Sequence, residues 1–214
     1  MKPLLILRPE PGNSVTAARA RALGLEPVQR PLFAIGPLPW SAPDPAPFDG
    51  LLFTSANALR HGGTELAKLK ELDVFAVGEA TAEAAAAAGF RVVMTGSGGV
   101  EALLAALPGQ RRLLHLTGAD HRRADTAHLI VSEPVYLAAP LTPEMPAGKM
   151  VAMIHSPRAG ARLAEIAPNR AELAIAAISA AAARACGEGW ASLDWPERPH
   201  DAALLALAAR LCQG

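Results

Sequence analysis

FTSANALR at residues 53–60 recurs as IHSPRAGAR at residues 154–162, which sets Ser55 opposite Ser156. FAVGEATAEA at 75–84 returns as AAISAAAARA at 176–185, again 101 positions on, and EALLAAL at 101–107 returns as DAALLAL at 201–207, offset by 100. Three blocks in one order at nearly one offset mark an internal duplication, which a single sequence can reveal. Each copy reads as strand, serine-bearing turn and helix, then strand, small-residue turn and helix, then a third strand and helix. Short apolar runs alternating with Ala/Leu-rich helical runs are the pattern of α/β architecture with parallel sheets.

Outward from the repeat, Pro3–Leu7 reads as a strand, Asn13–Leu23 as a helix with Gly24 just past its end, and Glu26–Phe33 as a second strand. Residues 35–48 hold prolines 37, 39, 43, 45 and 47, a density that no helix or central strand survives, so a linker or edge excursion is predicted. Strands are predicted at Gly50–Phe53, Val74–Val77, Arg91–Met94 and Leu113–Leu116, with an extended stretch at Leu129–Ala138 before a second proline cluster at 140, 143 and 146. The second repeat copy has no strands of its own before it, and the N-terminal strand-helix-strand is free to complete it. The predicted architecture is therefore two similar parallel-sheet α/β lobes with flavodoxin-like layers, joined by a two-stranded linker. One lobe combines residues 1–34 with 140–214, and residues 35–139 form the inserted second lobe.

Composition narrows the function classes. With 51% apolar residues the chain buries a core, and twenty basic residues balance twenty acidic ones, so no overall field gathers nucleic acid or an anionic membrane. The apolar run Leu4–Leu7 is too short for a signal segment, and the eleven residues Leu173–Ala183 fall short of a bilayer span, so a soluble cytoplasmic protein is expected. Cys186 and Cys212 read as buried free thiols, and His115, His121 and His128 have spacings that suit no metal site, so none is expected. No GxGxxG or GxxxxGK[ST] follows a strand, which argues against a nucleotide-binding enzyme.

Several stretches together resemble the uroporphyrinogen-III synthase family. LLILRPEP near the N-terminus resembles its first strand, FTSANALR its TSxNAV/L element, VGEATAEAAAAAGF its VGxxTAxxxxxxG element, and SGGVEALLAAL its Gly-LLxxL element. VYLA at 135–138 resembles its VYxT segment and HSPRAGARL its SPSxxxxL element, so the resemblance runs from about residue 3 to residue 211. It implies a bilobed monomer that holds hydroxymethylbilane in a cleft between the lobes. The product implied is uroporphyrinogen III, formed with inversion of ring D and loss of water, without metal or organic cofactor. Two departures stand out. Ala182 occupies the place of the threonine retained as Thr81, and TGADHRRADTA after Leu116 is short and lacks an RGxxGR pattern.

The implied substrate is a flexible octacarboxylate that must lose a hydroxyl and be folded for attack by its far pyrrole. A protein supplies a proton and a scaffold. Helix N-termini after parallel strands suit carboxylates, and the sequence offers Ser55, Ala56 and Asn57, then Glu79 to Thr81, Gly98 to Gly99, and Ser156 to Arg158. Ser55, Ser97 and Ser156 would equally serve as ordinary helix caps. Arg8, Arg60, Arg122 and Arg158 are candidate carboxylate partners, with Arg8 at a strand's carboxyl end the best placed. Tyr136, the single tyrosine, is by the resemblance the candidate proton donor, and otherwise a packing residue. The alternative function is a bilobed binding module for an anionic small molecule, which the threonine missing at Ala182 favours; a regulatory or scaffolding protein of tetrapyrrole synthesis is a third.

Overall fold

The computed structural model describes residues 1–121 and 123–214 and divides into two compact units, Met1–Ala34 with Ala139–Gly214, and Ile35–Ala138. Unit 1 contains β1 (Leu4–Ile6), α1 (Gly12–Ala22), β2 (Pro27–Gln29), β9 (Met150–Ile154), α5 (Pro157–Ile166), β10 (Leu173–Ala177), α6 (Ala180–Cys186), β11 (Ser192–Asp194) and α7 (Asp201–Gln213). Its five strands lie in the order β11-β10-β9-β1-β2, and every neighbouring pair is parallel. All residues of β9 and β10 are buried, as parallel strands covered on both faces must be. Leu4, Ile6, Val151, Met153, Ala174 and Ala176 pack against Ala17 and Ala20 of α1 and against Leu204, Leu205, Leu207, Ala208 and Cys212 of α7. Side chains alternate along a strand, so Leu5, Ala152 and Ile175 point the other way and leave that face to α5 and α6, which contact β9 and β10.

Unit 2 carries most of β3 (Phe33–Pro37), then β4 (Gly50–Phe53), α2 (Ala56–His61), β5 (Val74–Val77), α3 (Glu79–Ala87), β6 (Val92–Gly96), α4 (Val100–Ala105), β7 (Arg112–Gly118) and most of β8 (Leu129–Pro140). The strand order is β3-β8-β7-β4-β5-β6, with the β7–β8, β4–β7, β4–β5 and β5–β6 pairs parallel. One face packs Leu51, Phe53, Val74, Ala76, Leu114 and Leu116 against α2 and α3, and the other packs Leu52, Phe75 and Leu113 against Leu103 and Leu104 of α4.

The repeat is visible strand by strand. β4-β5-β6 and β9-β10-β11 run in the same order, and β7 and β8 hold beside β4 the places that β1 and β2 hold beside β9. Counted along its own chain, unit 1 has the 2-1-3-4-5 order of a doubly wound sheet, and unit 2 is its circular permutation. One sequence expectation needs amendment. The predicted strand Glu26–Phe33 divides into β2 and the start of β3, because Pro31 has no N–H to continue a ladder. The edge excursion expected within residues 35–48 is present, since β3 runs into that region as the edge strand of its sheet, where a missing N–H is tolerated.

The tightest helix contact in unit 1 lies between α5 and α6. A Cβ placed on Gly160 would meet the Ala182 carbonyl oxygen at 2.8 Å and Cys186 Sγ at 2.9 Å. Both cysteines are free and buried, and burial pushes the Cys186 thiol up to about 11. Because a backbone carbonyl cannot swing aside, Gly160→Ala is expected to destabilise unit 1 by about 1–3 kcal/mol despite alanine's better helix propensity, as read by urea unfolding.

Candidate functional site

In unit 2, the turns after the parallel strands gather the predicted binding residues. Ser55 is the N-cap of α2, its hydroxyl accepting from the Asn57 N–H at 3.2 Å, so it serves the capping role. Ala56 is buried, and the Asn57 side-chain oxygen accepts from Arg60 Nη1 at 3.0 Å. α3 starts at Gly78, whose φ of 83° brings the chain off β5 in a conformation only glycine adopts readily. Thr81 follows in its first turn and is 6% exposed. α4 starts in the same way from Gly99, φ 93°.

Tyr136 lies in β8, partly buried against the α2/α3 core, with its ring against Gly118 of β7. A Cβ on Gly118 would come within 2.9 Å of that ring, so the glycine makes the close approach possible. His61 at the end of α2 sits with its ring 6.4 Å from the tyrosine ring, centroid to centroid. The Tyr136 hydroxyl makes no hydrogen bond among the described residues, which leaves its proton free to be donated.

The sequence reading overlooked a second feature of unit 2. His115 of β7 is 5% exposed, and its Nε2 lies 3.0 Å from the Thr54 hydroxyl, while the His121 ring meets it edge-on at 5.8 Å. Burial, helped by the neighbouring His121, pushes the His115 imidazole down to about 4, so it is neutral at physiological pH.

In unit 1, Asn13 of α1 is fully buried and ties down the turn after β1, its amide donating to the Ile6 and Arg8 carbonyls at 3.0 and 2.8 Å. That turn presents Arg8. Its Nη1 reaches Thr16 Oγ1 at 3.3 Å and Asp201 Oδ1 at 2.9 Å, so the best-placed arginine of the sequence is engaged by an internal carboxylate. Arg19 binds the other oxygen, Oδ2, at 3.0 Å, and His155 Nε2 lies 3.2 Å from Oδ1. His155, Arg8 and Arg19 hold the Asp201 carboxyl below the usual range, and burial lowers His155 despite the carboxylate beside it. Ser156 caps α5, accepting from the Ala159 N–H at 3.2 Å, and the Arg158 guanidinium stacks on Phe33 with its carbon 4.4 Å from the ring centre. Arg122 lies outside the described residues.

Strand register relates the two edges. Phe53 pairs with Leu116 and Met153 with Ile6, so one step further along, Thr54 stands beside Thr117 and, two steps on from Met153, His155 stands beside Arg8. The repeat makes Thr54 the counterpart of His155, and Thr117 therefore the counterpart of Arg8. The same sheet position carries hydroxyls in unit 2 and cationic or basic groups in unit 1. Ala182, the counterpart of Thr81, is fully buried in the first turn of α6.

A family model described as HEM4, uroporphyrinogen-III synthase HemD, matches residues 14–130, more than half of the chain. The chain belongs to the uroporphyrinogen-III synthase family. Its fold is similar to the crystal structure of uroporphyrinogen-III synthetase from Helicobacter pylori, at 17% identity and TM-score 0.70, covering 99% of this chain and 100% of that one. It is also similar to a mutant uroporphyrinogen III synthase from Thermus thermophilus, at 18% identity and TM-score 0.54, covering 99% of each chain. No curated protein sequence matches significantly. For this uroporphyrinogen-III synthase family member, no described helix is long and apolar enough to cross a membrane, and no described group of three His, Cys, Asp or Glu is placed to hold a metal ion.

Two outcomes follow from the geometry of these edges. A Cβ on Gly12 would fall 2.4 Å from Arg8 Nε, the far end of a flexible side chain, so Gly12→Ala should displace the guanidinium with little loss of stability. Turnover measured beside thermal unfolding is expected to show reduced activity in a protein that melts within a few degrees of the parent. For His115, the unfolded imidazole takes up a proton near about 6.5 while the native one resists until about 4. Its stabilising contribution is therefore complete above the unfolded value and is lost as pH falls through this window; His155, also lowered, acts in the same direction. Urea unfolding is expected to show a loss of about 2 kcal/mol between about pH 7 and about pH 5, smaller in His115→Gln.

Proposed function

We infer that the chain carries the activity of its family, converting hydroxymethylbilane to uroporphyrinogen III with inversion of ring D and release of water. The observation that carries this reading is the family match over residues 14–130, on a chain whose duplicated parallel sheets have the fold of that family. We further propose that the protein acts as a cytoplasmic monomer.

Departure of the terminal hydroxyl as water needs one proton, and the final aromatising step releases one, so a single group that gives a proton and later takes it back balances the reaction. Tyr136 fits that part, since its hydroxyl is uncommitted among the described residues and the ring is held against Gly118. The pyrroles supply the electrons, and the protein's remaining task is to fold the chain so that the far ring attacks its substituted carbon. Backbone N–H groups opening α3 and α5, with Ala56, Asn57, Thr81 and Arg158 around such turns, are proposed to meet the substrate's carboxylates. Ser55 and Ser156 hold the turns in shape through their caps. The binding-module alternative, which the alanine at position 182 favours, is not supported by the family match.

Incubation with freshly prepared hydroxymethylbilane, followed by separation of the oxidised isomers, tests the reading: type III product above the spontaneous type I background is expected. Tyr136→Phe is expected to lower that turnover by about 10- to 100-fold without altering the melting temperature, within the range of general-acid contributions. Type I product alone from the parent protein would reject the activity, and full turnover by the phenylalanine variant would remove Tyr136 from it.

A further inference from the structure

In unit 1 the chain reverses its direction of winding between β1 and β9, and doubly wound sheets bind ligands in the crevice at that switch point. The residues leaving these two strands there are Arg8 and His155, and the first turn of α7 adds Asp201. A single carboxylate thus faces two guanidinium groups, Arg8 Nη1 at 2.9 Å and Arg19 Nη1 at 3.0 Å, and one imidazole at 3.2 Å. The positive charges outnumber the negative one.

Three observations set this cluster apart from a brace for α7. The His155 side chain is only 10% exposed, yet neither ring nitrogen has an aligned hydrogen-bond partner among the described residues, and buried polar groups are rarely left so. Arg8 uses Nη1 alone; its Nε and Nη2, the edge suited to a bidentate carboxylate, have no partner among the described residues. Moreover, α7 is held without Asp201. His200 Nδ1 caps it by accepting from the Ala203 N–H at 3.2 Å, and Leu204, Leu205, Leu207, Ala208 and Cys212 bury its inner face.

We propose that Arg8, Arg19 and His155 form a carboxylate-binding subsite at the switch point of unit 1, in which Asp201 is an internal stand-in that a substrate carboxylate displaces. The chemistry of the occupant argues for the class of ligand, since two guanidinium groups already close around a carboxylate at hydrogen-bonding distance. Only the identity of the ligand as a side-chain carboxylate of the tetrapyrrole rests on the proposed function. Competition of this kind keeps the cationic groups paired until a polyanion arrives, and Asp201 tunes affinity by opposing it.

The test uses the full chain and two readouts: calorimetric titration with benzenehexacarboxylate, and KM for hydroxymethylbilane. Asp201→Asn is expected to bind the hexacarboxylate about tenfold more tightly and to lower KM, because removing the stand-in frees the arginines. Adding Arg8→Gln should abolish that gain, whereas a general charge effect would persist in the double variant. Asp201→Ser, which also suits a helix start, provides the same comparison should the asparagine variant fold poorly. Unchanged or weaker binding in the Asp201 variants, or a gain that survives Arg8→Gln, would overturn the subsite and leave the proposed function untouched. Tighter hexacarboxylate binding in a protein that makes no type III isomer would instead retain the subsite and reject that function.

Discussion

Parallel strands with every residue buried dictate the rest of this molecule. Strands such as β9 and β10 satisfy their backbone only against neighbours in the sheet and expose no side chain to water, so both faces must be roofed by helices. Roofing consumes the apolar side chains and leaves chemistry to the turns where strands hand over to helices. These turns all fall at one edge of each sheet because the strands that lead into helices run one way. Ser55, Gly78, Gly99, Arg8, Ser156 and Ser179 each occupy such a turn, whatever else they do.

The duplicated halves show how one scaffold supports two chemical environments. The central pair β4–β7 ends in hydroxyls and a neutral imidazole, while β1–β9 ends in a guanidinium and an imidazole drawn around a carboxylate. The exchange at Thr81 and Ala182 looks like a lost functional group in the sequence. In three dimensions both positions lie in the first turn of a helix that follows a parallel strand, so the same place offers a hydroxyl in unit 2 and none in unit 1.

What could be read from the sequence followed its local periodicities. The repeat offset, the alternation of apolar runs and the serine caps all act within a few residues, and they yielded parallel α/β sheets and the positions of most elements. The strand break at Pro31 is not legible because one residue that lacks a donor does not interrupt the extended pattern of Glu26–Phe33. The Arg8–Asp201 pair escaped for another reason: 193 positions separate its members, and nothing in the spacing of two charged residues announces a contact at that range. In the sequence His115 is one of three histidines whose spacing suits no metal site. Its significance lies in its burial and in Thr54, which only the β4–β7 register brings beside it. Tyr136 was found through family resemblance, and its uncommitted hydroxyl and its glycine seat could only be seen in the structure.

The assembly of unit 1 from two separated stretches of chain orders events during translation. All of Ile35–Ala138 emerges from the ribosome ahead of β9, β10 and β11, so unit 2 can begin to form its sheet while β1 and β2 still lack the neighbour that would close theirs. The nascent protein thus matures from its middle outward. The apolar strand Leu4–Leu7 precedes that middle segment and lacks its β9 neighbour until the second part of its own unit has emerged.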